Sequence, residues 1–136
     1  MKYDDLELAF MFVNSGPQFD NVAYVSRSTG QTFWRSDAAD VDDLPEDVET
    51  NSDYIEVPHK NDLDLGQRLV WQFVRREIPG LEENVRGFFS RRGAYGRYKS
   101  FLEEVGLLEK WHRFEDEMTK GALLEWCVEN DIHAEG

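Results

Sequence analysis

Arg91-Arg92-Gly93-Ala94-Tyr95-Gly96-Arg97-Tyr98-Lys99 places four cations, two tyrosines and two glycines in nine residues. Guanidinium groups pair with phosphates and tyrosines stack on bases, while a Gly-x-x-Gly turn such as Gly93 to Gly96 lets a nucleic-acid backbone approach closely. Arg91, Arg92, Tyr95, Arg97 and Lys99 are therefore candidate contacts for an anionic or nucleic-acid partner. The segment lacks the flanking strands of a KH module. The competing reading is a turn between helices in which Tyr98 packs inward and the arginines balance acids elsewhere in the chain.

A second constellation is His59, Lys60, Asp62 and Asp64, between Pro58 and Gly66. An imidazole held by an aspartate at a helix start can act as an acid, a base or an anion contact. The structural alternative is that Asn61 caps the helix that follows, with Asp64 at the spacing of a capping interaction. The third is acidic: Asp37, Asp40, Asp42, Asp43, Glu46 and Asp47 lie in Ser36 to Asp53, which has no basic residue. That stretch is long for a structureless connection, so we expect residues 37–53 to be mobile, partly helical around Asp40 to Leu44, or a contact surface for a basic partner. A calcium loop is excluded, because the Asp-x-Asp-x-Asp-Gly pattern and its sharp-turn glycine are absent.

Familiar catalytic signatures are missing: no Walker loop, no Gly-x-Ser-x-Gly elbow, no His-Glu-x-x-His and no Gly-x-Gly-x-x-Gly. Glu109 and His112 form one Glu-x-x-His pair, where a di-iron bundle needs two such pairs and two more glutamates. The single Cys127 permits neither an internal disulfide nor a cysteine zinc site. No catalytic residue, metal set or cofactor is expected. Trp34, Trp71, Trp111 and Trp126 are expected in the core.

The elements that position these groups follow from periodicity. Leu6, Ala9, Phe10 and Val13 recur on one helical face behind Asp4 and Asp5, which can cap the helix and favour its dipole. Val22 to Arg27 and Gln31 to Ser36 flank a turn in which Gly30 supplies the left-handed residue, a hairpin that Tyr54 to Val57 extends to three strands. After Pro58 the period becomes 3.6. Leu69, Val70, Phe73 and Val74 mark one helix, ended by Pro79-Gly80; Leu81, Val85, Phe88 and Phe89 mark the next. Ala94, Tyr98, Phe101, Leu102 and Val105 mark a third, closed by Gly106. Leu107, Trp111, Phe114, Met118, Gly121, Leu124 and Val128 mark the last. We therefore expect an α+β fold: an N-terminal helix, a three-stranded antiparallel meander, and a four-helix region, packed as one domain over residues 1–136 with its division near residue 58.

The 136 residues carry a net charge of −13. Residues 1–66 hold 15 acids and 4 bases, residues 67–102 hold 3 acids and 8 bases, and residues 103–136 hold 10 acids and 3 bases. A basic island thus lies between acidic regions in a chain whose total field repels nucleic acid and anionic membranes. The longest apolar run, Leu8 to Val13, is far short of a membrane span, and the N-terminus lacks the positive region of a signal peptide. A cytoplasmic location without membrane contact is expected.

Tyr24 to Gln31, Pro58 to Gly66, Gly93 to Lys99 and Leu108 to Cys127 together resemble the uncharacterised bacterial protein family zero-one-five-eight of the UPF series. The resemblance spans nearly the whole chain. It implies a stand-alone bacterial cytoplasmic domain and assigns no catalytic residue or cofactor. Two functions fit these observations. One is a non-enzymatic regulatory or adaptor domain that binds a protein partner through the acidic stretch. The other is a nucleic-acid or nucleotide-binding domain working through Arg91 to Lys99.

Overall fold

A 3.6-residue repeat winds Tyr3–Val13 into α1 in the computed structural model, which describes residues 1–17 and 20–135. Lys2 occupies the cap position and supplies no side-chain bond. Asp4 and Asp5 lie inside the first turn, so they favour the helix dipole but do not cap. Leu6, Ala9, Phe10 and Val13 are buried as their spacing predicts.

The sheet has four strands rather than three: β1 (Asn21–Ser26), β2 (Thr32–Ser36), β3 (Val41–Asp42) and β4 (Tyr54–Glu56), in the order β3-β2-β1-β4. Every neighbouring pair is antiparallel, with Val25 opposite Thr32 in β2 and Ile55 in β4. The hairpin closes as expected, with Gly30 at φ 74°. A Cβ on Gly30 would also stand 2.8 Å from that of Met1, so the position excludes side chains on two grounds. The fourth strand comes from the acidic stretch, where Val41 pairs with Ser36 and Asp42 with Arg35, so the partly helical alternative for Asp40 to Leu44 is not the one that forms. Helix is unavailable there because Asp40 takes φ 52°, a left-handed conformation that reverses the chain into β3.

The chain divides into two compact units, one of Met1–Asp64 with the chain from Lys120 onward, the other Leu65–Thr119. In the first, α1 packs on β1 and β2, and Ala23, Val25, Leu123, Trp126, Cys127 and Ile132 are buried. Its termini are joined, since the Tyr3 N–H donates to the Glu135 carbonyl and the Glu135 N–H to the Met1 carbonyl, each at 2.8 Å.

The second unit holds α2 (Gln67–Glu77), a 3-10 turn (Pro79–Leu81), α3 (Glu82–Phe88), α4 (Ala94–Glu104) and the start of α5 (Leu108–Glu129). Gly66, not Asn61, is the cap residue of α2. Residues 59–64 are spent on a turn instead, and Asp64 at φ 57° cannot continue into a helix. Leu69, Phe73, Val85, Tyr98, Leu102 and Trp111 fill the core, where the Trp111 ring meets those of Phe73 and Tyr98 edge-on at 5.4 and 5.1 Å. Burial holds the Tyr98 phenol far above its usual range. Along α5 the buried face departs from the expected stripe: Val128 is 77% exposed and Met118 is exposed, while Leu123, Trp126 and Cys127 are buried. Trp111 and Phe114 belong to the core of the second unit, whereas Leu123, Trp126 and Cys127 lie in the part of the helix that belongs to the first.

Phe73 has no exposed surface. Phe73→Ala should lower the unfolding free energy by about 3–5 kcal/mol in urea titrations; a loss below about 1 kcal/mol would show that the second unit does not depend on this core.

Candidate functional site

Three groups of side chains were expected to carry function, and the fold treats them differently. Arg91 and Arg92 lie exposed in the turn before α4, and Arg97 and Lys99 lie exposed on it. At about 100° per residue, Arg97 and Lys99 point about 160° apart around the helix axis. Tyr95 stands edge-on to Phe89 at 5.1 Å, and burial raises its phenol. Beside Arg97 an open groove of about 420 Å³ is lined by Phe88, Gly93, Gly96, Ser100 and Glu104, which sets a carboxylate where an anion would lie. Three other cations of the basic island, and Lys110 beyond it, are paired with nearby acids. Arg75 and Arg86 meet Glu82 at 2.6 and 3.6 Å, and Arg76 and Lys110 meet Glu77 at 3.1 and 2.8 Å. Glu109 and His112 are exposed, and His112 lies 4.0 Å from Glu115.

The acidic stretch is built, not slack. The Asp43 carboxylate accepts from the Trp34 N–H, the Asp43 N–H returns to the Trp34 carbonyl, and Asp42 accepts from the Leu44 N–H at 3.3 Å. The Asp47 carboxylate accepts from the Asn51 amide at 3.0 Å. Asp53 ends the stretch by bracing the hairpin turn: it accepts from both the Ser26 and Ser28 hydroxyls and from the Ser28 N–H. The Ser26 bond foremost, then the Ser28 bonds and the Arg27 charge, hold this carboxyl below its ordinary range against an opposing desolvation. Asp37, Asp40 and Glu46 are exposed, and their carboxylates enter no hydrogen bond or ion pair among the described residues.

The third group borders a cavity of about 200 Å³ in the first unit. Val13, Val22, Val57 and Pro58 form its apolar wall, and Asn21, Glu56, His59 and Asp62 its polar one. His59 is 9% exposed. Its backbone N–H donates to Asp62 Oδ2 at 3.0 Å, and its Nδ1 accepts from the Asn61 N–H at 3.1 Å. Accepting there requires a lone pair on Nδ1, which leaves the ring proton on Nε2, and Nε2 has no partner among the described residues. Lys60 and Asp64 do not line the cavity; the Lys60 N–H instead donates to Asn14 Oδ1 at 2.9 Å. Desolvation, then the Asp62 charge, raise the Glu56 carboxyl, and Arg35 opposes them. Asn21 ties cavity to acidic stretch, since its Oδ1 accepts from the Ser36 hydroxyl at 2.7 Å and that hydroxyl accepts from the Ala39 N–H at 3.3 Å. Asn21 and Glu56 carry no motif in the sequence. They meet His59 because β4 pairs with β1.

Among the described residues no three His, Cys, Asp or Glu side chains are arranged to hold a metal ion, and no helix is long and apolar enough to cross a membrane. Residues 12–135 match the model of an uncharacterised protein family, UPF0158. No curated protein and no solved structure matches the chain.

Asp53 titrates below the unfolded carboxyl, so its bonds stabilise the fold above the unfolded value and that contribution disappears as pH falls through the folded one. Asp53→Ala should lower the Tm at pH 7, with the gap from wild type closing in acid; a gap independent of pH would remove the carboxylate from the brace. Glu56 has the opposite sign. Its raised value means the ionised form is disfavoured in the fold, so protonation stabilises and the gain is lost as pH rises through the folded value. Glu56→Gln should therefore stabilise the protein at pH 7 by about 0.5 kcal/mol or less, since solvent screens this exposed carboxylate. Thermal melts of the two proteins should converge at low pH, and a destabilised variant at neutral pH would contradict the assignment.

Proposed function

The chain belongs to the uncharacterised protein family UPF0158, and on that premise we propose that it is a non-enzymatic regulatory or adaptor module of the cytoplasm that binds another protein. Its acidic face, carried by Asp37, Asp40, Asp42, Asp43, Glu46 and Asp47, receives a basic segment of the partner. One observation carries this reading: Asp37, Asp40 and Glu46 extend from a backbone already fixed by β3 and its turns while their own carboxylates remain unspent. A preformed charged surface loses little conformational entropy on binding, and opposite charge on the partner raises the association rate. The nucleic-acid reading has less support, because Arg97 and Lys99 face apart on α4 and Glu104 borders the groove beside Arg97.

Asp37→Lys with Asp40→Asn and Glu46→Lys changes the face without removing the Asp43 and Asp53 bonds, and asparagine tolerates the left-handed conformation at position 40. Binding of a lysine-rich peptide to the wild type should weaken as salt shortens the Debye length to about 10 Å at 0.1 M. The triple variant should bind about tenfold more weakly in calorimetric titration. Equal affinity for the two proteins would refute the acidic face as the docking surface.

A further inference from the structure

The cavity beside His59 has more polarity than the fold uses, since Asp62 accepts only the His59 backbone N–H and Glu56 accepts nothing among the described residues. Glu56 and Asp62 bring two carboxylates to its wall from different elements, β4 and the turn after Pro58, and neither forms an ion pair among the described residues. Val13, Val22, Val57 and Pro58 face them with apolar surface. The His59 Nε2 hydrogen is a further unspent group, on a residue that is nine-tenths buried. We propose that this cavity takes the side chain of a lysine from the bound basic segment, its ammonium between Glu56 and Asp62, its methylene stem along the valines, and the carbonyl of its peptide unit on His59 Nε2–H.

The fit is chemical and volumetric. A volume of about 200 Å³ holds roughly six water-sized groups at about 30 Å³ each, which suits the five heavy atoms of a lysine side chain. Two carboxylates from separate elements suit a point charge with three rotatable donors better than the planar fork of arginine, which pairs best with one carboxylate in bidentate fashion. The two carboxylates and the imidazole are not arranged to close around a metal ion. The Asn21 to Ser36 to Ala39 bonds place the cavity next to the turn that carries Asp37 and Asp40, so one extended segment can reach both. An ammonium here would also relieve the repulsion between Glu56 and Asp62. The inference rests on the basic-segment reading and specifies which side chain that segment inserts.

The test titrates the full chain with N-acetyl-lysine methylamide, followed by the NMR amide signals of Asn21, Val22, Glu56 and His59. We expect shifts that saturate with a Kd on the order of 1 mM, no response to the same probe acetylated on its side-chain nitrogen, and about tenfold weaker binding in Glu56→Gln and in Asp62→Asn, which keeps an acceptor for the His59 N–H. n-Butylammonium, lacking the carbonyl, should bind several-fold more weakly. Absence of shifts, shifts that survive acetylation, or unchanged affinity in both variants would overturn the proposal, and equal binding of n-butylammonium would remove His59 and the peptide source from it. Loss of the probe response while the lysine-rich peptide still binds overturns the cavity assignment alone. A normal probe response together with unaltered peptide binding in the Asp37/Asp40/Glu46 variant overturns the acidic-face reading alone.

Discussion

Strand β1 must satisfy the backbone groups of Asn21–Ser26 on both edges, and the organisation of the first unit follows from how it does so. β2 takes one edge through a short local turn, and β4 takes the other after a long excursion through the acidic stretch. A buried strand with one open edge would leave amide and carbonyl groups without partners, each costing more than an average hydrogen bond contributes. The requirement extends past the strands, where the Arg27 N–H reaches the Asp53 carbonyl and the Val57 N–H reaches the Ala23 carbonyl, both at 2.8 Å. These bonds fix where the acidic stretch ends, and they deliver Glu56 and His59 to the side of Val22.

Electrostatics then separates the two units by use. In the second, Glu77 and Glu82 each serve two cations, and the Arg86 guanidinium also lies 5.4 Å from the Trp71 ring centroid. Such exposed pairs contribute little stability individually, but they engage three of the basic island's eight cations locally. In the first unit Asp43, Asp53 and Asp62 accept backbone N–H groups and hold that backbone in place, while the Asp37, Asp40 and Glu46 carboxylates enter no hydrogen bond or ion pair among the described residues. Carboxylates that gain nothing from the fold are the ones available to a partner, the usual relation between local cost and function.

Much of the architecture was legible in the residue pattern because its causes are local. The 3.6-residue repeats of α1 and α2, the Gly30 turn and the Gly106 helix end each depend on neighbours a few positions away, and each lies where its spacing puts it. The errors share one origin. Asn61 is the right residue type for a cap, but the His59 turn claims that backbone and moves the helix start to Gly66. Asp40 to Leu44 carries the composition of a loop, yet Trp34 on β2 offers its backbone to Asp43 and draws in a fourth strand.

The sequence by itself determined the α+β class, the order of helix, hairpin and helices, the residues of the principal core, and the division of charge into acidic and basic regions. Only the tertiary structure decided that the acidic region is an ordered sheet edge and that Glu56, Asp62 and His59 border one cavity. The reason is range. Periodicity and turn chemistry act over a few residues, whereas strand pairing sets Asn21 opposite Ser36 and Tyr24 opposite Glu56 through backbone hydrogen bonds that carry no side-chain signature.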